Sequence, residues 1–328
     1  MHVVTLDHER IEKVVQHLKV LRDVPRGMDF YSVEGADGER IVLEDMYPPL
    51  DDPHAVDLFF FACLNQYGFW YERELGGYRA PMVGRFNGKE AKGSDLLWRL
   101  LRRQLGMDPR FFEPERLAAL SSEELAIALR DDVGTPWPDF ATRVRLTRGY
   151  GRALSSNGWT PRAIVEHANA SARPLEEFIR LTRHLPGFNE DLLFKKNIFL
   201  AMILARRPEQ FLKVGANEPW PPIVDYHLMR VILRLGLVEL SPHDESDNVR
   251  RLQVCPTQES LVRTAVASVV DLLVQRTGMT MAAIDELLWM ARRYCPEMSE
   301  PECSACQFEP VCAKKTKRFQ PILRTTAY

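Results

Sequence analysis

The chain contains no apolar run of about 18 residues, the length a membrane-spanning helix needs, so no span is expected. It also lacks a strong charge of either sign: 43 Lys and Arg stand against 45 Asp and Glu, a net of -2. That balance disfavours a chain that grips nucleic acid along one continuous basic face, while leaving a local basic face open. The opening MHVVTLDHERIEKVVQHL has no basic stretch leading into an apolar one, so it reads as a helix rather than a secretory signal. The expected location is cytoplasmic. No repeat period or low-complexity tract occurs, and the proline clusters at 48–53, 218–222 and 296–301 are too short to be free linkers. Of the six cysteines, only Cys63 and Cys255 lie outside the C-terminal stretch. Both sit among apolar neighbours and read as buried structural thiols. In a reducing compartment the clustered ones favour metal binding over disulfides.

What the chain does have is enough apolar side chains for a sizeable interior. Of its 328 residues 45 % are hydrophobic and 27 % charged, ordinary for a soluble globular protein. That length accommodates one large domain or two modest ones. Residues 9–22 place Ile11, Val14, Val15, Leu18 and Leu21 at helical spacing. An apolar helix follows Asp52-Pro53. Further helices are expected over 92–105, 122–131, 137–156, 160–168, 173–183, 190–206, 222–238, 257–276 and 279–293. Ser121 with Glu124, and Thr160 before Pro161, are start signals. Residues 29–49, around Gly35 and Asp37-Gly38, and the glycine-bearing stretches at 76–78 and 84–89 suggest small hairpins. The expected fold is mainly α, a compact helical body with minor β hairpins.

Two stretches carry the chemistry. Leu185-Pro186-Gly187 is a tight turn between helices, with proline presetting φ and glycine free to make it positive. Val224-Asp225-Tyr226-His227-Leu228-Met229-Arg230-Val231 then enters a new helix. A carboxylate such as Asp225 suits cleavage of a base–sugar bond. The sugar turns cationic in the transition state, and a fixed negative charge steadies it and orients or deprotonates water. The plain alternative is that Asp225 serves only its helix N-terminus. Further on, Cys295, Cys303, Cys306 and Cys312 follow one another with gaps of seven, two and five residues, four thiols able to close around one metal centre.

The turn and the Asp225 segment together resemble the signature of the HhH-GPD glycosylase superfamily. The cysteine loop resembles the C-terminal 4Fe-4S loop of the endonuclease III and MutY type of DNA glycosylase, whose first gap is usually about six residues. This resemblance implies an HhH-GPD-like helical fold with minor β hairpins and a C-terminal iron–sulfur loop. It also implies a 4Fe-4S cluster in a structural role on Cys295, Cys303, Cys306 and Cys312. Zinc on the same thiols is the alternative. Asn189 replaces the second glycine of the turn, which weakens the case for phosphate capture by its amides. Asp191 stands where bifunctional members carry a nucleophilic lysine, so water is the expected nucleophile.

A second resemblance covers more of the chain. Leu64-Asn65-Gln-Tyr-Gly-Phe69-Trp70, Gly88-Lys89 through Trp98, Phe194-Lys195-Lys196, Asp225-Tyr226-His227-Leu228, Leu235-Gly236 and Asp285 through Trp289 are similar to segments of the queuosine salvage protein family. Members of that family are queuosine 5′-phosphate N-glycosidases, and the order of segments is the same from about residue 55 to 294. The resemblance implies that Lys195 and Asp225 form the catalytic pair, the lysine keeping the carboxylate ionised or binding substrate oxygen or phosphate. Phe69, Trp70, Trp98, Tyr226 and Trp289 are stacking candidates, and Asp285 is an acceptor for a guanine-like edge. The competing roles are core packing for the aromatics, a solvated helix face for Lys195, and a cap or salt bridge for Asp285. Lys196 points about 100° from Lys195 on a helix, so only one of them serves a site.

The function implied is hydrolysis of the N-glycosidic bond of a queuosine-like, 7-deazaguanine nucleoside or nucleotide, the small-molecule partner. One alternative is a monofunctional 4Fe-4S DNA glycosylase, with Arg102, Arg103, Arg143, Arg145, Arg148 and Arg152 as a positive stripe for DNA. The other is an inert metal-stabilised binding protein. The acidic Pro296–Glu302 stretch would repel a phosphate backbone, whereas the basic run at 314–318 follows it. No protein partner is inferred. The chain then divides into an N-terminal helix and β arm (1–54), a helical catalytic body (55–294), and a cysteine loop with basic tail (295–328).

Overall fold

A computed structural model of the chain describes residues 2–21, 28–35 and 37–328. Arg22, at the end of the first expected helix, and Ala36, in the first expected hairpin, lie outside the described residues. In chain order come β1 (Val4–Leu6), α1 (His8–Val20), β2 (Ser32–Glu34), β3 (Arg40–Val42), α2 (Ala55–Leu64), β4 (Trp70–Glu72) and β5 (Tyr78–Pro81). Strands β6 (Val83–Phe86) and β7 (Lys89–Lys92) precede α3 (Ser94–Met107), α4 (Pro114–Ala119), α5 (Ser122–Ala128), α6 (Phe140–Ser156), α7 (Pro161–Asn169), α8 (Pro174–Thr182) and α9 (Lys195–Arg206). The last elements are α10 (Tyr226–Leu235), β8 (Val238–Leu240), α11 (Pro242–Arg250), α12 (Pro256–Thr277) and α13 (Met281–Ala291). The architecture is mainly helical, and among the described residues the strands occur only in small pairs.

These elements form two units, each assembled from separated stretches. The first gathers Met1–Gly27, Glu72–Ala80 and Trp220–Arg324; the second gathers Met28–Tyr71, Pro81–Pro219 and Thr325–Tyr328. The chain passes between units before Met28, within β4, at the end of β5, after Pro219 and after Arg324.

In the second unit α2 is apolar on all sides, with Leu58 through Leu64 buried, as befits a central helix. Helices α3, α6, α7 and α9 pack against it. Helix α6 also packs on α4, where Gly151 permits close backbone approach: a Cβ there would lie 2.3 Å from the Ala118 nitrogen. The β6–β7 hairpin turns at Asn87 and Gly88, both at positive φ (51° and 74°), the backbone a tight two-residue turn requires.

In the first unit β1 pairs antiparallel with β8, Val4 opposite Leu240. Ile11, Val14, Val15 and Leu18 form the buried stripe of α1, which packs on α12. Helix α12 in turn meets α10 and α13.

Several bounds differ from the sequence reading. The helix expected over 222–238 begins only at Tyr226, because prolines 221 and 222 and the extended Asp225 precede it, and Gly236 at φ 78° ends it. Helix α9 begins at Lys195 rather than 190, since Phe194 sits at φ 53°. Helices α4 and α11 are too short to show a clear apolar period and were not expected. The start signals hold: Ser121 and Glu124 form a capping box, and Thr160 accepts from the Ala163 N–H. Cys63 is buried as expected, but Cys255 is exposed, because it precedes α12 at that helix's solvent end.

Candidate functional site

In the second unit the site residues gather around two connections. One is the turn between α8 and α9. Gly187 adopts φ 84°, and a Cβ there would come within 2.2 Å of Leu64 Cδ1. Phe188 and Asn189 both donate their N–H groups to the Leu185 carbonyl. Asp191 then caps the entry to α9, accepting from the N–H groups of Leu193 (2.9 Å) and Lys195 (2.7 Å). That explains an aspartate at a position where the bifunctional pattern has a lysine.

The two lysines that follow have different surroundings. Lys196 is buried, and its Nζ donates to the carbonyls of Leu64 (2.8 Å) and Gly187 (3.0 Å) while lying 4.5 Å from the Tyr67 ring centroid. Burial and the positive charge of Lys195 hold its ammonium well below the usual lysine range. It thus ties the turn to the end of α2. Lys195 is also largely buried, with Nζ 5.4 Å from the Phe199 ring centroid.

The other connection is the Asn65–Phe69 segment between α2 and β4. Arg143 of α6 is wholly buried and donates to the carbonyls of Asn65 (2.8 Å), Tyr67 (2.5 Å) and Pro138 (3.2 Å). Its guanidinium lies 4.3 Å from the Tyr67 ring centroid, 5.4 Å from Phe69 and 5.2 Å from Trp137. This corrects the sequence reading, which placed Arg143 on a surface stripe for DNA. The hydroxyl of buried Tyr67 has no hydrogen-bond partner among the described residues, and neither does Gln66 Nε2. Burial pushes the Tyr67 phenol up to about 12, with Arg143 opposing. Phe69 stands edge-on to Trp137 at 6.3 Å. Trp70 is half-buried in β4. Trp98 is buried in α3 between Tyr47 (5.4 Å) and Phe59 (6.0 Å), a core environment. Tyr67, Trp137 and Arg143 escaped the sequence reading as an aromatic–cation cluster, because their proximity comes from α6 crossing a segment far away in sequence.

In the first unit Asp225 is the N-cap of α10, its Oδ1 accepting from the Leu228 N–H at 2.9 Å. Among the described residues Oδ2 accepts no hydrogen bond and the carboxylate enters no ion pair. Tyr226 and His227 lie ring to ring at 4.0 Å. Burial and the negative charges of Glu297 and Asp225 push the Tyr226 phenol well above its ordinary value. Asp285 and Trp289 are half-buried on α13, and the Arg292 guanidinium lies 3.7 Å from the Trp289 centroid.

Helix α10 also holds the cysteine loop. Arg230 donates Nε to the Cys295 carbonyl (3.2 Å) and Nη1 to Gln320 (2.9 Å), and its Nη2 meets His227 Nδ1 (3.0 Å). Arg234, buried and one turn on, donates to Cys295 Sγ (3.3 Å) and the Pro296 carbonyl (2.8 Å). The Lys314 N–H donates to Cys312 Sγ at 3.2 Å, and the Phe308 N–H bonds Cys306. Burial pushes the Cys306 and Cys312 thiols up, these amides oppose it, and the neighbouring cysteine charges add to it. N–H donors thus reach three of the sulfurs, while Cys312 Sγ also donates to the Arg234 carbonyl at 3.6 Å. Among the described residues no three Cys, His, Asp or Glu side chains converge closely enough to hold a metal ion. All four cysteines are free and half-buried.

Residues 47–203 match the family model of the queuosine salvage protein, which supports that resemblance over just under half of the chain. The matched stretch includes Phe69, Trp70, Trp98 and Lys195 and stops before Asp225, Tyr226, Asp285, Trp289 and the four cysteines. A search of curated proteins gave no match.

Proposed function

We propose that the chain is an N-glycosidase that hydrolyses the base–sugar bond of a queuosine-like, 7-deazaguanine nucleoside or nucleoside 5′-phosphate. Similarity to the queuosine salvage family supports the substrate class. The chemistry rests on Asp225, whose carboxylate has one oxygen engaged by the helix and the other without a partner among the described residues. A fixed carboxylate Oδ2 against the sugar face steadies the oxocarbenium-like transition state and accepts a proton from attacking water. In this reading the Lys195 ammonium binds a substrate oxygen or phosphate. Phe69, Trp70, Trp98, Tyr226 and Trp289 are the candidates for stacking on the flat base, and Asp285 accepts from its polar edge.

Cys295, Cys303, Cys306 and Cys312 would hold a metal centre, a 4Fe-4S cluster with zinc as the alternative. When bound it supplies metal–thiolate cross-links that fasten the loop. The donors around Cys295, Cys306 and Cys312 support this donor set.

The deciding experiment follows free base released from a nucleoside 5′-phosphate by the wild-type chain and by Asp225→Asn. Release by the wild type that the variant abolishes is the expected result; no release by the wild type on any 7-deazaguanine nucleotide overturns the reading. Steeply salt-dependent binding to duplex DNA would favour base excision from DNA instead.

A further inference from the structure

Cys255, one of the two cysteines outside the C-terminal loop, lies in a constellation that the proposed glycosidase does not use. Its thiol is exposed and stands 3.8 Å from His2 Nε2. The other ring nitrogen of His2, Nδ1, is 2.7 Å from Asp244 Oδ1. Asp244 is itself buried at the start of α11, and its second oxygen accepts from the Ser241 hydroxyl at 2.7 Å. Burial raises the Asp244 carboxyl, but hydrogen bonds from His2 and Ser241 outweigh it and hold the group below the usual aspartate range. An ionised Asp244 fixes the His2 tautomer with its proton on Nδ1, leaving the Nε2 lone pair facing the sulfur. Nucleophile, base and orienting carboxylate thus stand in the order used by cysteine nucleophiles. Cys255 is also the N-cap of the 22-residue α12 and makes no side-chain cap bond. The other charged groups nearby in sequence are His243 and Asp247 on α11, paired at 3.7 Å, Glu245, paired with Arg318 at 2.8 Å, Arg250 and Arg251 at the end of α11, and Glu259 on α12, which is buried.

We propose that Cys255, His2 and Asp244 form a nucleophilic thiol centre that exchanges with low-molecular-weight disulfides. In the exchange His2 Nε2 takes the thiol proton, and the Cys255 sulfur attacks one sulfur of the disulfide. The sulfur–sulfur bond breaks as a new one to Cys255 forms. The departing thiolate recovers the proton from His2 and leaves as a free thiol. One disulfide is consumed and one is made, so electrons balance without a further oxidant.

The test treats the full chain with 5,5′-dithiobis(2-nitrobenzoate) at pH 7 and follows modification of the Cys255 peptide by mass, which separates it from the other five cysteines. His2→Gly is expected to slow modification by at least about 10-fold, with added imidazole restoring the rate. A residue that only anchors the chain would show no such rescue. Asp244→Asn is expected to slow the reaction, and Cys255→Ser is expected to leave glycosidase turnover unchanged. Equal rates in wild type and His2→Gly, or a loss that imidazole does not restore, overturns the proposal.

Discussion

Asp225 caps its helix, and the proposal that it also steadies a cation is tested by a change that keeps the first role and removes the second. Asparagine at 225 still accepts from the Leu228 N–H but carries no charge. Asp225→Asn is therefore expected to lower turnover by roughly 100-fold or more while shifting stability by less than about 1 kcal/mol. Asp225→Ala should lose both, which parallel turnover assays and thermal melts would show. A parallel loss of stability in the asparagine variant would reduce Asp225 to a structural cap. Asp57, in the first turn of α2, offers a test by pH. Burial pushes its carboxyl up to about 7, with Glu113 and Glu115 adding and Arg162 opposing. The folded state thus holds its proton more tightly than the unfolded chain, whose value is near about 4. Its contribution is full below that value and is lost as pH rises through about 7. Asp57→Asn should raise Tm at pH 8 and change it little at pH 4, a difference on the order of a few kcal/mol. The same shift at both pH values would show that the carboxyl carries no such burial cost.

The elements that carry the site are fastened by buried side chains. Adding a methyl at position 187 meets both the positive φ and Leu64 Cδ1, so Gly187→Ala should cost about 2–4 kcal/mol by denaturant titration. Arg143→Met would leave the Tyr67 carbonyl without its donor and the Asn65 carbonyl with only the Tyr67 N–H, and should cost on the order of 3 kcal/mol. Stability unchanged in either variant would mean that the turn or the segment repacks freely. The difference between these two residues also marks what the sequence could reveal. Gly187 is legible from Leu-Pro-Gly, since a local backbone rule demands it. Arg143 is not: its helix reads correctly, yet nothing local says that the guanidinium points inward to carbonyls some 75 positions earlier. Asp225 falls between the two. Its cap is legible from extended chain before an apolar period, whereas its partnerless oxygen depends on what the fold leaves out of reach. Helices such as α1, α6 and α12 were visible because their apolar period runs for three turns or more; α4 and α11 were too short for it.

At the scale of the molecule, the four-cysteine loop gives the broadest test. Purified protein is expected to carry one metal centre per chain, brown with a broad visible band for iron–sulfur and colourless for zinc. Cys303→Ser should lower the metal content and the melting temperature together, by elemental analysis and calorimetry. Full-length protein that lacks metal and melts unchanged in that variant would remove the centre from the account. Finally, the pairing of Val4 with Leu240 has a bearing on biosynthesis. At roughly 5–20 residues per second, the ribosome needs about 10–50 s to deliver the later strand after the earlier one. Throughout that interval the apolar stripe of the opening helix stays unburied by its native neighbour. The nascent protein therefore offers chaperones a prolonged target, and a slower-translated message would lengthen that exposure.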